Sequence, residues 1–122
     1  MVAVYGTLKT GESNHERWMR AATLIDTGQT KLQYPMLVSG IPYVFDCPGQ
    51  GGNIIVEVYR VSMTEIVNRL DHLEGHPHFY CRKPTAIVLD NGEEVTAWLY
   101  FINGKLPDDA KLYTNYTRSG SH

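Results

Sequence analysis

Apolar and polar positions change period several times along the chain, and each change marks an element. Residues 2–5 are apolar and end at Gly6, which predicts a short strand followed by a polar turn reaching Gly11. Ser13 with Glu16 three residues later is a capping-box pattern, and Trp18, Met19 and Ala22 share one side of the helix it predicts, ending near Ala22. From Thr23 to Phe45 short β-prone segments are broken by Gly28, Pro35, Gly40 and Pro42, and residues 46–52 form a turn-rich loop. Residues 53–60 alternate as a strand. The best-marked helix opens at Ser62: Ser62 and Glu65 repeat the capping box, and Val61 and Ile66 occupy the hydrophobic-staple positions. Gly75 and Pro77 stop it near Glu74. Residues 83–89 and 94–102 read as strands of a hairpin turning through Asp90, Asn91 and Gly92. Many strands with two helices predict an α+β domain on a mixed or antiparallel sheet that can close into a barrel.

A chain of 122 residues, 43% of them hydrophobic, fits one domain, expected over residues 1–118, with 119–122 as a flexible tail or cloning remnant. At this length roughly two-thirds of the extended surface leaves water on folding, so a core forms without metals or disulfides. Eleven basic against thirteen acidic residues, with no block of either sign, argue against a nucleic-acid partner. The apolar runs at 53–58 and 97–102 are far shorter than the roughly 20 residues of a membrane helix, and the N-terminus lacks the basic region of a signal peptide. Cys47 and Cys81, 34 positions apart and in no metal or redox motif, suit the reducing cytoplasm, with their pairing left open.

Charge matters most at one position. Ile66, Val67, Leu70 and Leu73 make an apolar stripe at helical spacing, and Glu74, seven after Val67 and four after Leu70, extends it. A carboxyl group there faces the negative end of the helix dipole, and burial pushes its pKa in the same upward direction. Both effects suit proton exchange near neutral pH. The ordinary alternative is a Glu at a frayed end that turns to solvent or pairs with Arg82. A second candidate is the turn Tyr5-Gly6-Thr7-Leu8, where Gly allows close backbone approach and successive amides can receive an anion; the alternative is a plain turn leaving an edge strand. His72, His76 and His78 invite a metal reading, but Gly75 and Pro77 break the helix that would align them. No serine-nucleophile elbow, phosphate loop or dinucleotide fingerprint is present. Cys47 and Cys81 read as small buried hydrophobes, and Tyr80, Trp98, Tyr100 and Phe101 as core or sheet-face aromatics, with Tyr80 able to line a pocket beside Glu74.

Three segments together, V-Y-G-T-L-K-T-G-E-S-N from Val4 to Asn14, the stretch ending V-E-V-Y-x-V at Val61, and L-D-H-L-E-G-H-P-H-F-Y-x-R from Leu70 to Arg82, resemble the γ-glutamylcyclotransferase-like family. The likeness is strongest to its small γ-glutamylamine cyclotransferase branch and extends over residues 1–102. It implies a small mixed-strand β-barrel flanked by helices, with a pocket between the Y-G-T-L turn and the helix carrying the catalytic Glu, here Glu74. The implied reaction is intramolecular aminolysis of a γ-glutamyl amide to 5-oxoproline and a free amine. The implied roles are Glu74 as base then acid, amides of Tyr5, Gly6, Thr7 and Leu8 on the substrate's carboxylate or oxyanion, and Tyr80 against the glutamyl group. Asn14 matches a recurrent Asn that meets substrate or positions the turn. The resemblance implies neither a metal nor an organic cofactor. The chain ends soon after residue 102, so contacts that the family draws from a longer C-terminal segment would come from Tyr113, Asn115 or Tyr116, or be absent. A second hypothesis is a non-catalytic protein of this fold that binds a small anionic ligand. Glu74 argues against it, because an anion binder gains nothing from a nearby carboxylate. A third, an interaction module with exposed aromatics, has no contiguous patch behind it.

Overall fold

The computed structural model describes residues 1–122 except Thr7, Ser13, Arg118, Ser119 and His122, and of Thr117, Gly120 and Ser121 the backbone alone. Five strands close a barrel in the order β1 (Val2–Val4), β5 (Ile55–Arg60), β2 (Thr23–Thr30), β6 (Tyr80–Leu89) and β7 (Glu94–Ile102). Neighbours are antiparallel except at the closing seam, where Val2 of β1 lies parallel to Trp98 of β7. This is the expected small mixed-strand barrel of an α+β domain.

Both faces of β1 are covered, which accounts for its unbroken apolar run. Ala3 points into the barrel with Val56, Val58, Ile87, Leu89, Leu99 and Phe101. Val2 and Val4 point outward and pack with Tyr59, Tyr80 and Tyr100 under Ile66 and Leu70 of the long helix. The predicted hairpin is present and begins earlier than expected, pairing Tyr80 with Ile102 through to Val88 with Glu94. A smaller hairpin, β3 (Met36–Ser39) with β4 (Ile41–Val44), turns at Gly40.

The helices depart from their predicted outlines. The first, α1, covers His15–Trp18 alone; Asn14 stands at its N-cap without a side-chain capping bond, and Ser13 of the expected box lies outside the described residues. The second begins as expected in α2 (Met63–Glu65), where Ser62 Oγ accepts from the Glu65 amide at 3.2 Å. It then widens into a π-helical turn over Ile66–Leu70, with the Asp71 amide donating to the Ile66 carbonyl, and resumes as α3 (Asp71–Glu74). The extra residue in that turn rotates the remainder of the helix about its axis. Val67, expected in the apolar stripe, is 50% exposed, and Asp71 takes an inward place at 7%. Gly75 ends the helix at φ 67°.

Residues beyond β7 return to the barrel. The Tyr113 amide donates to the Met36 carbonyl at 2.9 Å, and the Ile55 amide to the Thr114 carbonyl at 2.8 Å. β8 (Tyr116–Thr117) pairs with β9 (Gly120–Ser121); Ser119 and His122 of the expected tail lie outside the described residues. Cys47 and Cys81 are unpaired thiols. No helix among the described residues is long and apolar enough to cross a membrane.

Candidate active site

The last helical residue before Gly75 is Glu74, so its position depends on how α3 ends. Gly75 adopts the left-handed conformation and its amide donates back to the His72 carbonyl at 3.3 Å, closing the helix. A Cβ on Gly75 would lie 2.9 Å from the Phe79 Cβ, a second reason that glycine occupies the position.

Among the described residues the Glu74 carboxyl makes no hydrogen bond and no ion pair. Arg82, the partner weighed in the sequence, is bound elsewhere: its Nε donates to Asp71 at 2.9 and 3.1 Å, and its guanidinium lies 4.4 Å from the centre of the Trp98 ring. Glu74 is thus half-buried without receiving a countercharge, and desolvation pushes its pKa up to about 7.

Opposite Glu74 a cavity of about 330 Å³ opens. One wall is the first turn and its surroundings: Tyr5, Gly6, Leu8 and Asn14. The other is Glu74 with Leu73, Tyr80 and Tyr100, and Ile41, Pro42 and Phe79 add an apolar group to the lining. Tyr5, Gly6, Leu8, Asn14, Glu74 and Tyr80, all singled out in the sequence, therefore meet in one place, and Thr7 lies outside the described residues. Tyr100, Pro42 and Phe79 were not foreseen as site residues. Their only signal was aromatic or proline content in strands and at a helix exit, which does not distinguish a pocket wall from core.

The turn is bound on several sides. The Lys9 amide donates to the Gly6 carbonyl at 3.0 Å, and His15 Nδ1 donates to the Leu8 carbonyl at 3.0 Å. The Thr10 amide donates to Glu57 Oε1 at 2.7 Å, and Thr10 Oγ1 lies 2.9 Å from the Tyr59 hydroxyl. Lys9 Nζ, deeply covered, donates to Asn115 Oδ1 at 2.8 Å. Gly6 is also constrained by space, since a Cβ there would come within 2.9 Å of the Pro42 ring.

Three tyrosines surround the carboxyl, and each has already placed its one proton. Tyr5 donates to the Tyr100 carbonyl at 2.6 Å, Tyr80 to the Pro42 carbonyl at 3.1 Å, and Tyr100 to Asp71 Oδ1 at 2.6 Å. Burial is the main reason all three phenols are held above their ordinary pKa, and the charge of Glu74 is a further cause in each case. They stay neutral through the physiological range. The three histidines near the helix end do not converge: His76 Nδ1 accepts from the Arg82 amide at 3.2 Å, and no metal-type cluster exists among the described residues.

A family model described as "Gamma-glutamyl cyclotransferase, AIG2-like" matches residues 2–119. A Methanocaldococcus jannaschii protein provisionally named a γ-glutamylcyclotransferase is 45% identical over 82% of this chain and 82% of its own. A γ-glutamylaminecyclotransferase of Rattus norvegicus is 30% identical over 99% of this chain and 91% of its own. The crystal structure of an AIG2-like protein from Mus musculus superposes with a TM-score of 0.87 at 26% identity, covering 98% of this chain and 88% of that one.

Proposed function

The chain belongs to the γ-glutamyl cyclotransferase, AIG2-like family, and from that premise we propose that it is a γ-glutamylamine cyclotransferase with Glu74 as its proton carrier. The observation that carries this reading is the lone, desolvated Glu74 carboxyl facing a cavity across from the Tyr5–Leu8 turn.

The substrate's α-ammonium must lose a proton before its nitrogen can attack. Glu74, half ionised near pH 7, accepts that proton. The nitrogen then bonds to the γ-carbonyl carbon, whose oxygen takes the electron pair and is held by amides of Tyr5, Gly6, Thr7 and Leu8. Collapse of this intermediate breaks the original C–N bond. The departing nitrogen takes that proton from Glu74, and the ring nitrogen, still carrying two hydrogens after its attack, gives up one of them through the same carboxylate to the released amine, leaving 5-oxoproline and the amine as its ammonium ion. Water is not consumed, and the carboxyl ends as it began. Nucleophile and carbonyl belong to one molecule, so the cavity has only to hold the bent conformer and exclude solvent. Tyr80 packs against the glutamyl carbons, Asn14 borders the turn, and the leaving amine extends past Ile41 and Phe79. The substrate is a small molecule, no metal or organic cofactor takes part, and two unpaired thiols suit the reducing cytoplasm.

Release of 5-oxoproline from a panel of γ-glutamylamines and γ-glutamyl dipeptides tests the proposal. The native chain should turn over at least one of the amines, and Glu74→Gln should lower kcat by about 100-fold or more. A folded Glu74→Gln protein retaining more than about a tenth of the activity removes Glu74 from the reaction. Binding without release by the native chain points instead to a protein that holds a small anion in this pocket.

A further inference from the structure

A phenol carries one proton and can accept through its oxygen as well. Around Glu74 this rule has a definite outcome. The protons of Tyr5, Tyr80 and Tyr100 are all turned onto protein acceptors, so none is left to donate into the cavity. Among the described residues no donor engages the Tyr80 or Tyr100 oxygen, and both residues line the cavity. With the Glu74 carboxylate they present acceptors alone, which is a lining for a group rich in N–H donors and positive charge.

The orientation at Tyr100 is enforced by Asp71. That carboxylate is buried and ion-paired with Arg82, so it can only accept, and it stands 2.6 Å from the Tyr100 hydroxyl. Glu74 is the other carboxylate facing this phenol. Were the Tyr100 proton directed at Glu74, it would stabilise the carboxylate form and weaken it as a proton acceptor.

We propose that Asp71 is a positioning residue: by holding the Tyr100 proton away from the cavity, it leaves the Tyr100 oxygen, together with that of Tyr80, to accept from the α-ammonium of the γ-glutamyl group. This rests on the reaction proposed above. It divides the pocket by polarity, with the acceptor side taking the ammonium and the backbone amides of the first turn taking the carboxylate and the developing oxyanion.

L-glutamate and glutarate differ only in the α-ammonium, so calorimetric binding of the two to the native chain, Tyr100→Phe and Asp71→Asn reads this contact directly. The native chain should prefer glutamate by at least about 10-fold, and Tyr100→Phe, which keeps the ring, should reduce that preference by about 10-fold with glutarate binding unchanged. Asp71→Asn should lower the ratio in the same direction, since a carboxamide no longer fixes the phenol proton. A purely structural role for Asp71 would weaken both ligands together. The inference is overturned if the native chain does not distinguish the two ligands, or if a folded Tyr100→Phe protein keeps the native ratio. Should Asp71→Asn not fold, the Tyr100→Phe ratio decides. Absence of 5-oxoproline release with the glutamate preference intact would overturn the reaction and leave the ammonium contact standing.

Discussion

At the scale of single residues the chemistry and the stability of this protein pull against each other at Glu74. An ordinary glutamate ionises near 4.5, and this one near 7, so between those values the folded chain binds more protons than the unfolded one. Stability must therefore fall as pH rises through that window, with a cost of roughly 3 kcal/mol once both forms are ionised. Glu74→Gln removes that cost. Denaturant unfolding should show the variant more stable than the native chain by up to about 3 kcal/mol at pH 8, and equal to it near pH 4. The same ionisation sets activity in the opposite sense: kcat/KM should rise about tenfold per pH unit below 7 and level off above it. The motive for suspecting Glu74 was visible in the sequence, as a carboxylate continuing an apolar stripe toward a helix end. Its isolation was not, because Arg82 is nearer in sequence to Glu74 than to Asp71, and the choice between them is made by the three-dimensional path of β6.

Among the elements, the helix over residues 63–74 shows where a periodic reading succeeds and where it stops. Its start was legible from Ser62 and Glu65, and its end from Gly75, because caps are local chemistry. Its middle was not, since a stripe drawn at 3.6 residues per turn has no place for a π turn, a feature frequent at functional sites. The wider turn exchanges Val67 for Asp71 on the inner face, and with it an apolar contact for the carboxylate that anchors Arg82 and Tyr100. Alanine substitutions separate the two arrangements. Ile66→Ala should cost about 2–5 kcal/mol and Val67→Ala less than about 1, whereas an uninterrupted α-helix would put both side chains in the core. Gly75→Ala should cost about 1–2 kcal/mol for the left-handed backbone alone, and the clash with Phe79 should displace Glu74 enough to appear in kcat. The hairpin of β6 and β7 was the most readable part, because Asn91-Gly92 and two alternating flanks specify a turn and a register at once. The β3–β4 hairpin, which carries Pro42 and Ile41 to the cavity, was visible only as broken β-prone segments.

For the whole molecule, closure of the barrel brings the first strand against the last of its five, and the segment after it returns to the beginning of the chain. In the sequence Asn115 stands out only as a residue able to supply a contact from the C-terminal region. In the fold its side-chain oxygen receives the buried Lys9 ammonium, 106 positions away. Asn115→Leu leaves that ammonium without its acceptor and should cost about 1–3 kcal/mol in unfolding experiments. It should also lower kcat, because Lys9 is hydrogen-bonded to Gly6 in the same turn. A ribosome makes Lys9 106 residues before Asn115, so while the intervening chain is being synthesised the turn exists without its fastening. The wall that Gly6 and Leu8 contribute to the cavity is consequently fastened only after residue 115 has been made, and a chain halted before it carries the turn without that contact.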